Sequence, residues 1–439
     1  MTTTMQDREF ADQKLRSAIQ LADSLLAGDW PHRDSEDALK RIRKLLQGKL
    51  DDLIKLDDGA NIEVIKSHCK EARSSISQYM GFLGFILRSS NVRNAFEIYE
   101  PLCRLGKELL GEDLRIVVGS EWNYIPFIYP TPAELLSDYI FVGLPASEGQ
   151  NALLVPIAGH ELGHAVWRRT PLKRFFSKMI QEGIVSRIQN DWPNFKELFS
   201  NFTSEQIGED LVARTIWGKS YEFSERQCEE IFSDVLALWI FGEGFIHAFR
   251  YLLFPNQGVR ASNFYPSNGS RAEFITKASG GFGDKTAYSL IDLFPKEEIS
   301  KDKLLTLADE TTRQLVPDII AQVRAHCEEK KIKRPTPEGK EAARRSLWEI
   351  KPTKNHDTIA DIINAAWEIR LKVREWEIVG VKEARKLYIL NDLVFKSFEG
   401  VEVPQEGLVP KEGLIVQWCS IQLNSRDGCS SKLMRSTCQ

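Results

Sequence analysis

Along most of this chain the apolar positions recur three and four residues apart, the period of a helix that buries one face. Residues 6–110 show it throughout: Leu39, Ile42, Leu46, Leu50 and Leu53 form one stripe behind Ser35, which the pattern predicts as an N-cap. The basic run Lys40–Lys44 falls on the opposite face and carries no interleaved aromatics, so it reads as a solvated surface and not as a nucleic-acid site. The period changes at 114–145. Leu114–Val118, Phe127–Tyr129 and Tyr139–Leu144 are short β-branched and aromatic runs separated by Pro126, Pro130 and Pro132, which predicts three strands. The last is expected at a sheet edge, open to an extended peptide. Helical spacing returns at 153–169 and continues through 168–223, expected either to wall a cleft or to pack as an insertion. Val235–Phe254 is strongly apolar, but Glu243, His247 and Arg250 interrupt it, so it reads as a buried helix and not a membrane span. Ala278–Asp284 reads as a glycine-rich hinge. Residues 301–330 and 338–397 read as helical, with an exposed joint at Lys330–Pro337, and 400–439 as short strands and a loose end.

These elements predict a mainly α, α+β fold. An N-terminal helical bundle is expected over 1–110, a catalytic region with a small sheet over 111–290, a helical region over 291–400 and a tail over 401–439. At 439 residues the chain can bury a large core, and its net charge of −4 gives no overall bias toward nucleic acid. The polar start Met1–Asp7 does not read as a signal peptide. The seven cysteines are odd in number and irregularly spaced, which predicts reduced thiols and a cytoplasmic home. Cys419, Cys429 and Cys438 lack the spacing of zinc ligand pairs and read as tail thiols.

The candidate chemistry lies in His160-Glu161-Leu162-Gly163-His164, within the predicted helix 153–169. Residues four apart share a helical face, so both imidazoles can aim at one ion, with Glu161 at the adjoining edge to take a proton from water. With only seven histidines in the chain, roughly 0.01 chance occurrences of H-E-x-x-H are expected. Gly163, inside the helix, predicts close approach by another element, since glycine there costs about 1 kcal/mol relative to alanine. A catalytic zinc needs a third protein ligand and one open position. Cys228–Ala237 offers it: Glu230 and Asp234 are four apart beside an apolar stripe of Ile231, Val235, Leu238 and Trp239. Glu230 is expected to bind the metal and Asp234 to accept the second N–H of a ligand histidine. Glu225 with Glu229 is the other such pair, further from the stripe.

This set resembles the gluzincin metallopeptidases, which join H-E-x-x-H to E-x-x-x-D on a second helix. The longer interval here is similar to the family of the CAAX prenyl endopeptidases and bacterial heat-shock membrane peptidases. In that family a later H-P-x-x-x-x-R element follows; here Tyr265-Pro266-Ser267-Asn268-Gly269-Ser270-Arg271 has its spacing, with Tyr for His. The resemblance covers 160–271 and implies a zincin-like catalytic core over 111–290. It also implies Zn²⁺ at His160, His164 and Glu230, and peptide hydrolysis with Glu161 as general base. Tyr265 would be an oxyanion donor, with His247 as the fallback, and Arg271 would orient that donor or hold Glu230. A protein or peptide substrate is expected, with no nucleic acid and no transmembrane segment. A zinc hydrolase of a non-peptide amide or ester, and a non-enzymatic regulatory protein on the same scaffold, are the alternatives.

Overall fold

In the computed structural model the sheet expected at 114–145 lies between two helical layers. Coordinates are described for residues 3–57, 60–90, 96–122, 126–129, 135–253, 260–283, 290–294, 300–353 and 358–401. Of the stretch 400–439 expected as short strands, 400–401 end the last helix, and the rest, with the three tail cysteines, lies outside the described residues. The helices are α1 (Thr3–Leu26), α2 (Arg33–Ile54), α3 (Ile62–Ser89), α4 (Tyr99–Leu110), α5 (Val155–Arg169), α6 (Leu172–Asn190) and the single turn α7 (Trp192–Phe195). They continue with α8 (Leu211–Phe241), α9 (Glu243–Leu253), α10 (Asn268–Phe282), α11 (Lys303–Glu329), α12 (Pro337–Trp348), α13 (Ile359–Leu371) and α14 (Glu383–Val401). Three strands, β1 (Arg115–Glu121), β2 (Phe127–Tyr129) and β3 (Tyr139–Pro145), complete a mainly helical α+β architecture. No helix among the described residues is long and apolar enough to cross a membrane.

The sheet order is β1-β3-β2, with β3 parallel to β1 and antiparallel to β2. β3 is therefore central, which corrects the edge-strand expectation. Its run Tyr139-Ile140-Phe141-Val142 is buried on both faces, the signature of an interior strand. Val117, Tyr139 and Phe141 pack into the core of α1–α3, while Ile116, Ile140 and Val142 join the larger core around α5 and α8. Among the described residues, the edge strand near α5 is β2.

Several local expectations change. Ser35 lies inside α2, buried and hydrogen-bonded to Ser89 Oγ at 2.8 Å, and the cap position is His32. Gly242 ends α8 in the middle of the Val235–Phe254 run, so that run is two helices. The described part of the expected hinge, 278–283, is the end of α10, closed by Gly283 in the left-handed conformation (φ 85°). The 338–397 stretch divides into α12, α13 and α14, and the joint before it is pinned: Trp239 Nε1 donates to the Ile332 carbonyl at 3.2 Å. Residues 168–223 pack α6 against α8 and α11, and of these only Arg168 lines the cleft described below.

α8 carries the acids of the site and is long because nothing in its sequence stops it: Asp210 caps its start, accepting from Val212 and Ala213, and no proline follows before Gly242. α5 meets it at very short range. A Cβ on Gly163 would lie 2.6 Å from Ser233 Cα, and one on Gly159 would lie 2.6 Å from the Phe241 ring. The two glycines, four apart, let the backbones approach until the α5 histidines face the α8 carboxylates.

Candidate metal centre

His160, His164 and Glu230 converge in the buried seam between α5 and α8, with ligand atoms all within 4.8 Å of one another. Glu230 Oε2 lies 3.4 Å from His160 Nε2, and Oε1 lies 3.5 Å from His164 Nε2. Two ligands placed about 2.05 Å from a tetrahedral zinc would be about 3.3 Å apart. The imidazole planes stand at 88°, their centres 4.9 Å apart.

The outer nitrogens are both occupied by carboxylates. His164 Nδ1 donates to Glu229 Oε1 at 3.0 Å. An ionised carboxylate only accepts, so Nδ1 carries the hydrogen and, in the neutral ring, Nε2 presents its lone pair to Glu230. His160 Nδ1 lies 2.9 Å from Asp234 Oδ1, a close ionic contact in which the N–H is not well aligned with the oxygen. Two imidazole lone pairs facing one buried carboxylate repel, and the arrangement needs a cation between them, a proton or a metal ion.

Electrostatics agree. Burial alone would lower the His160 pKa, but Asp234, Glu230 and Glu161 raise it to about 10, so without metal His160 holds the proton. Burial would raise Glu229, yet His164, Arg168 and Arg226 bring it down to about 2. Glu230 and Asp234 are likewise held below the usual carboxylate range against their own desolvation, Glu230 chiefly by His164 and His160 and Asp234 chiefly by Arg271. Glu161 behaves oppositely: its burial pushes its pKa up, only partly offset by the two histidines. A basic carboxylate facing a cleft is suited to accept a proton.

The cleft in front of the three residues encloses about 170 Å³ and is lined by Glu161, Tyr265, Arg168, Arg226, and Phe127 and Ile128 of β2 among others. Arg271 reaches Asp234 in a two-pronged contact, Nε to Oδ2 at 2.8 Å and Nη2 to Oδ1 at 2.7 Å. It therefore fixes Asp234, and through it His160, which replaces the expected hydrogen bond to Glu230. Tyr265 sits in the segment before α10 and lines the cleft together with Arg226 and Glu230.

Not every expected residue comes to the site. Glu225, one turn before Glu229 on α8, pairs with Lys173, Ser177 and Tyr221 and does not line the cleft. His247 packs its ring against Trp367, centres 5.3 Å apart, and does not line the cleft. Three residues were missed in these roles. Glu229 orients His164 and draws Arg168 Nε (2.7 Å) and Arg226 Nη1, and Arg226 Nη2 also reaches Glu230 Oε1 at 3.4 Å. The signal for Glu229 was present, since a second ligand histidine needs its own acceptor. The arginines one turn from the motif residues, Arg168 after His164 and Arg226 before Glu230, carried no such signal. Comparison of the chain with protein-family models, curated proteins and solved structures finds no match.

Proposed function

We propose that the chain is a zinc-dependent endopeptidase of gluzincin type. The observation that carries this reading is the buried pair of Nε2 atoms, 3.4 and 3.5 Å from the two oxygens of Glu230, with both Nδ1 atoms committed elsewhere. Two imidazoles and one carboxylate are a ligand set suited to catalytic zinc and would hold it beside a cleft with room for water and substrate. Zinc, when bound, supplies Lewis acidity toward a carbonyl and toward water. Asp234 and Glu229 orient the histidines, and Arg271 holds Asp234 in place. Glu161 takes the proton of the attacking water and returns it to the leaving amine. The phenol of Tyr265 donates to the carbonyl oxygen as it becomes negative.

A peptide is favoured over other amides by β2. Among the described residues it is an edge strand, and its Phe127 and Ile128 line the same cleft, so an extended backbone can pair along it. The four described cysteines, Cys69, Cys103, Cys228 and Cys327, are free and buried, which fits a reducing compartment such as the cytoplasm. The test is incubation of the zinc-loaded chain with a denatured proteome, with new termini read by mass spectrometry. Chelator should abolish cleavage, and Glu161→Gln should keep its zinc yet produce no new termini. Cleavage that survives in Glu161→Gln would remove the residue from the reaction.

A further inference from the structure

Beside the metal cleft lies a second pocket, largely apolar, that shares Pro126, Ile157 and Leu252 with it as common walls. Ile157 is three residues before His160, so the shared wall is about 4.5 Å along α5 from a metal-site histidine. The pocket's free space is about 40 Å³, room for about three water molecules, which suits an unbranched stem better than an aromatic ring.

Three polar side chains line this apolar space, Ser120, Glu148 and Asn151, and the only charge among them is the Glu148 carboxylate. Glu148 receives Asn151 Nδ2 at 2.9 Å and Tyr251 OH at 3.4 Å, all neutral donors. Among the described residues it forms no ion pair. Arg370 stacks over the Tyr251 ring, 5.2 Å from its centre, and does not pair with Glu148. Asn151 Oδ1 is buried and has no hydrogen-bond partner. Because the amide nitrogen of Asn151 is committed to the Glu148 carboxylate, the orphaned atom is the oxygen and not a misassigned nitrogen. A half-buried carboxylate with no cation paired to it among the described residues calls for a charged donor on the end of an apolar stem.

We infer that this pocket is a subsite for a basic side chain, lysine or arginine, of the substrate, held by Glu148, which Asn151 orients, beside the metal cleft. The inference rests on the hydrolase reading for the purpose of the subsite. Its recognition chemistry stands by itself and is tested separately.

The direct test is binding to the full chain of Nα-acetyl-lysine N-methylamide against the norleucine analogue, which keeps the stem and lacks the ammonium, followed by ligand-observed NMR. The lysine compound should bind about ten- to hundredfold more tightly, and Glu148→Gln, which keeps the shape and removes the charge, should cancel that preference. Glu161→Gln should leave it unchanged. Equal binding of the two compounds, no binding of either, or a preference that survives Glu148→Gln would overturn the subsite. The companion readout is the proteome digest: the zinc-loaded chain should cut with lysine or arginine at one fixed position relative to the new terminus, and Glu148→Gln should lose that bias. Preferential lysine binding without cleavage would sink the hydrolase reading and leave the subsite standing. Cleavage with no basic bias would do the reverse.

Discussion

Gly163→Ala tests the geometry on which the site depends. The added methyl would start 2.6 Å from Ser233 Cα, whereas ordinary contact begins at 3.4 Å, so α5 and α8 must separate by about 0.8 Å. The atom in the way is backbone, which cannot swing aside. Two effects oppose each other. Alanine gains about 1 kcal/mol in helix propensity, and overpacking costs about 1–3 kcal/mol, so the metal-free chain should lose between nothing and about 2 kcal/mol. Metal binding should suffer more. Moving the helices apart by that amount carries the Nε2–carboxylate separations from 3.4 and 3.5 Å toward about 4 Å, away from the roughly 3.3 Å of a tetrahedral ligand pair. Zinc affinity should fall at least about tenfold, a change of about 1.4 kcal/mol. Competition titration with a chromophoric chelator reads the affinity, and urea unfolding of the metal-free chain reads the stability. Gly163→Ala with wild-type zinc affinity would refute the claim that close helix approach sets the site.

Further predictions follow from the charges and from the cleft. His160 holds a proton up to a pKa of about 10 in the metal-free chain, so zinc must displace one proton, and apparent affinity should rise about tenfold per pH unit from neutral pH toward 10; calorimetry in buffers of different ionisation heat counts that proton, and a count of zero at pH 7.5 would contradict the assignment. Because this folded-state pKa lies above the ordinary histidine value of about 6.5, its stabilisation of the metal-free chain is complete below that value and is lost as pH rises through about 10. Arg271→Ala leaves the buried Asp234 carboxylate uncompensated and should cost about 3–5 kcal/mol in urea unfolding, with much of it recovered when Asp234→Asn is added; no recovery would mean Arg271 acts elsewhere. Tyr265→Phe should lower kcat on the order of 10²-fold with KM little changed, and a wild-type kcat would remove the phenol from the transition state.

Local spacing made much of the site legible. The i, i+4 pairs His160/His164 and Glu230/Asp234 each put two side chains on one helical face, and Gly163 marked where another backbone comes close; the structure brings all of these into one seam. What spacing could not convey is what crosses between elements. Arg271 was readable as a cation near the acids, but its choice of Asp234 over Glu230 depends on how α10 approaches α8. Arg168 and Arg226 look like ordinary helix-surface cations, and Glu229 like the redundant neighbour of Glu230, until α5 is set against α8. Strand order was partly legible. The unbroken apolar run 139–142 implied a strand covered on both faces, and alternation would have been expected had it stood at an edge. The N-cap at Ser35 failed for a tertiary reason: a hydroxyl that suits a cap was used instead to bridge α2 to Ser89 at the end of α3.

The central claim is that His160, His164 and Glu230 hold one zinc ion, and zinc K-edge X-ray absorption on the purified full chain tests it most directly. The spectrum should show one zinc per chain, bound by two imidazole nitrogens and oxygen donors at about 2.0–2.2 Å, with the imidazole signature weakened in His160→Ala and occupancy sharply reduced in Glu230→Gln. Sulfur scattering at about 2.3 Å, or full zinc loading that persists in Glu230→Gln, would contradict it.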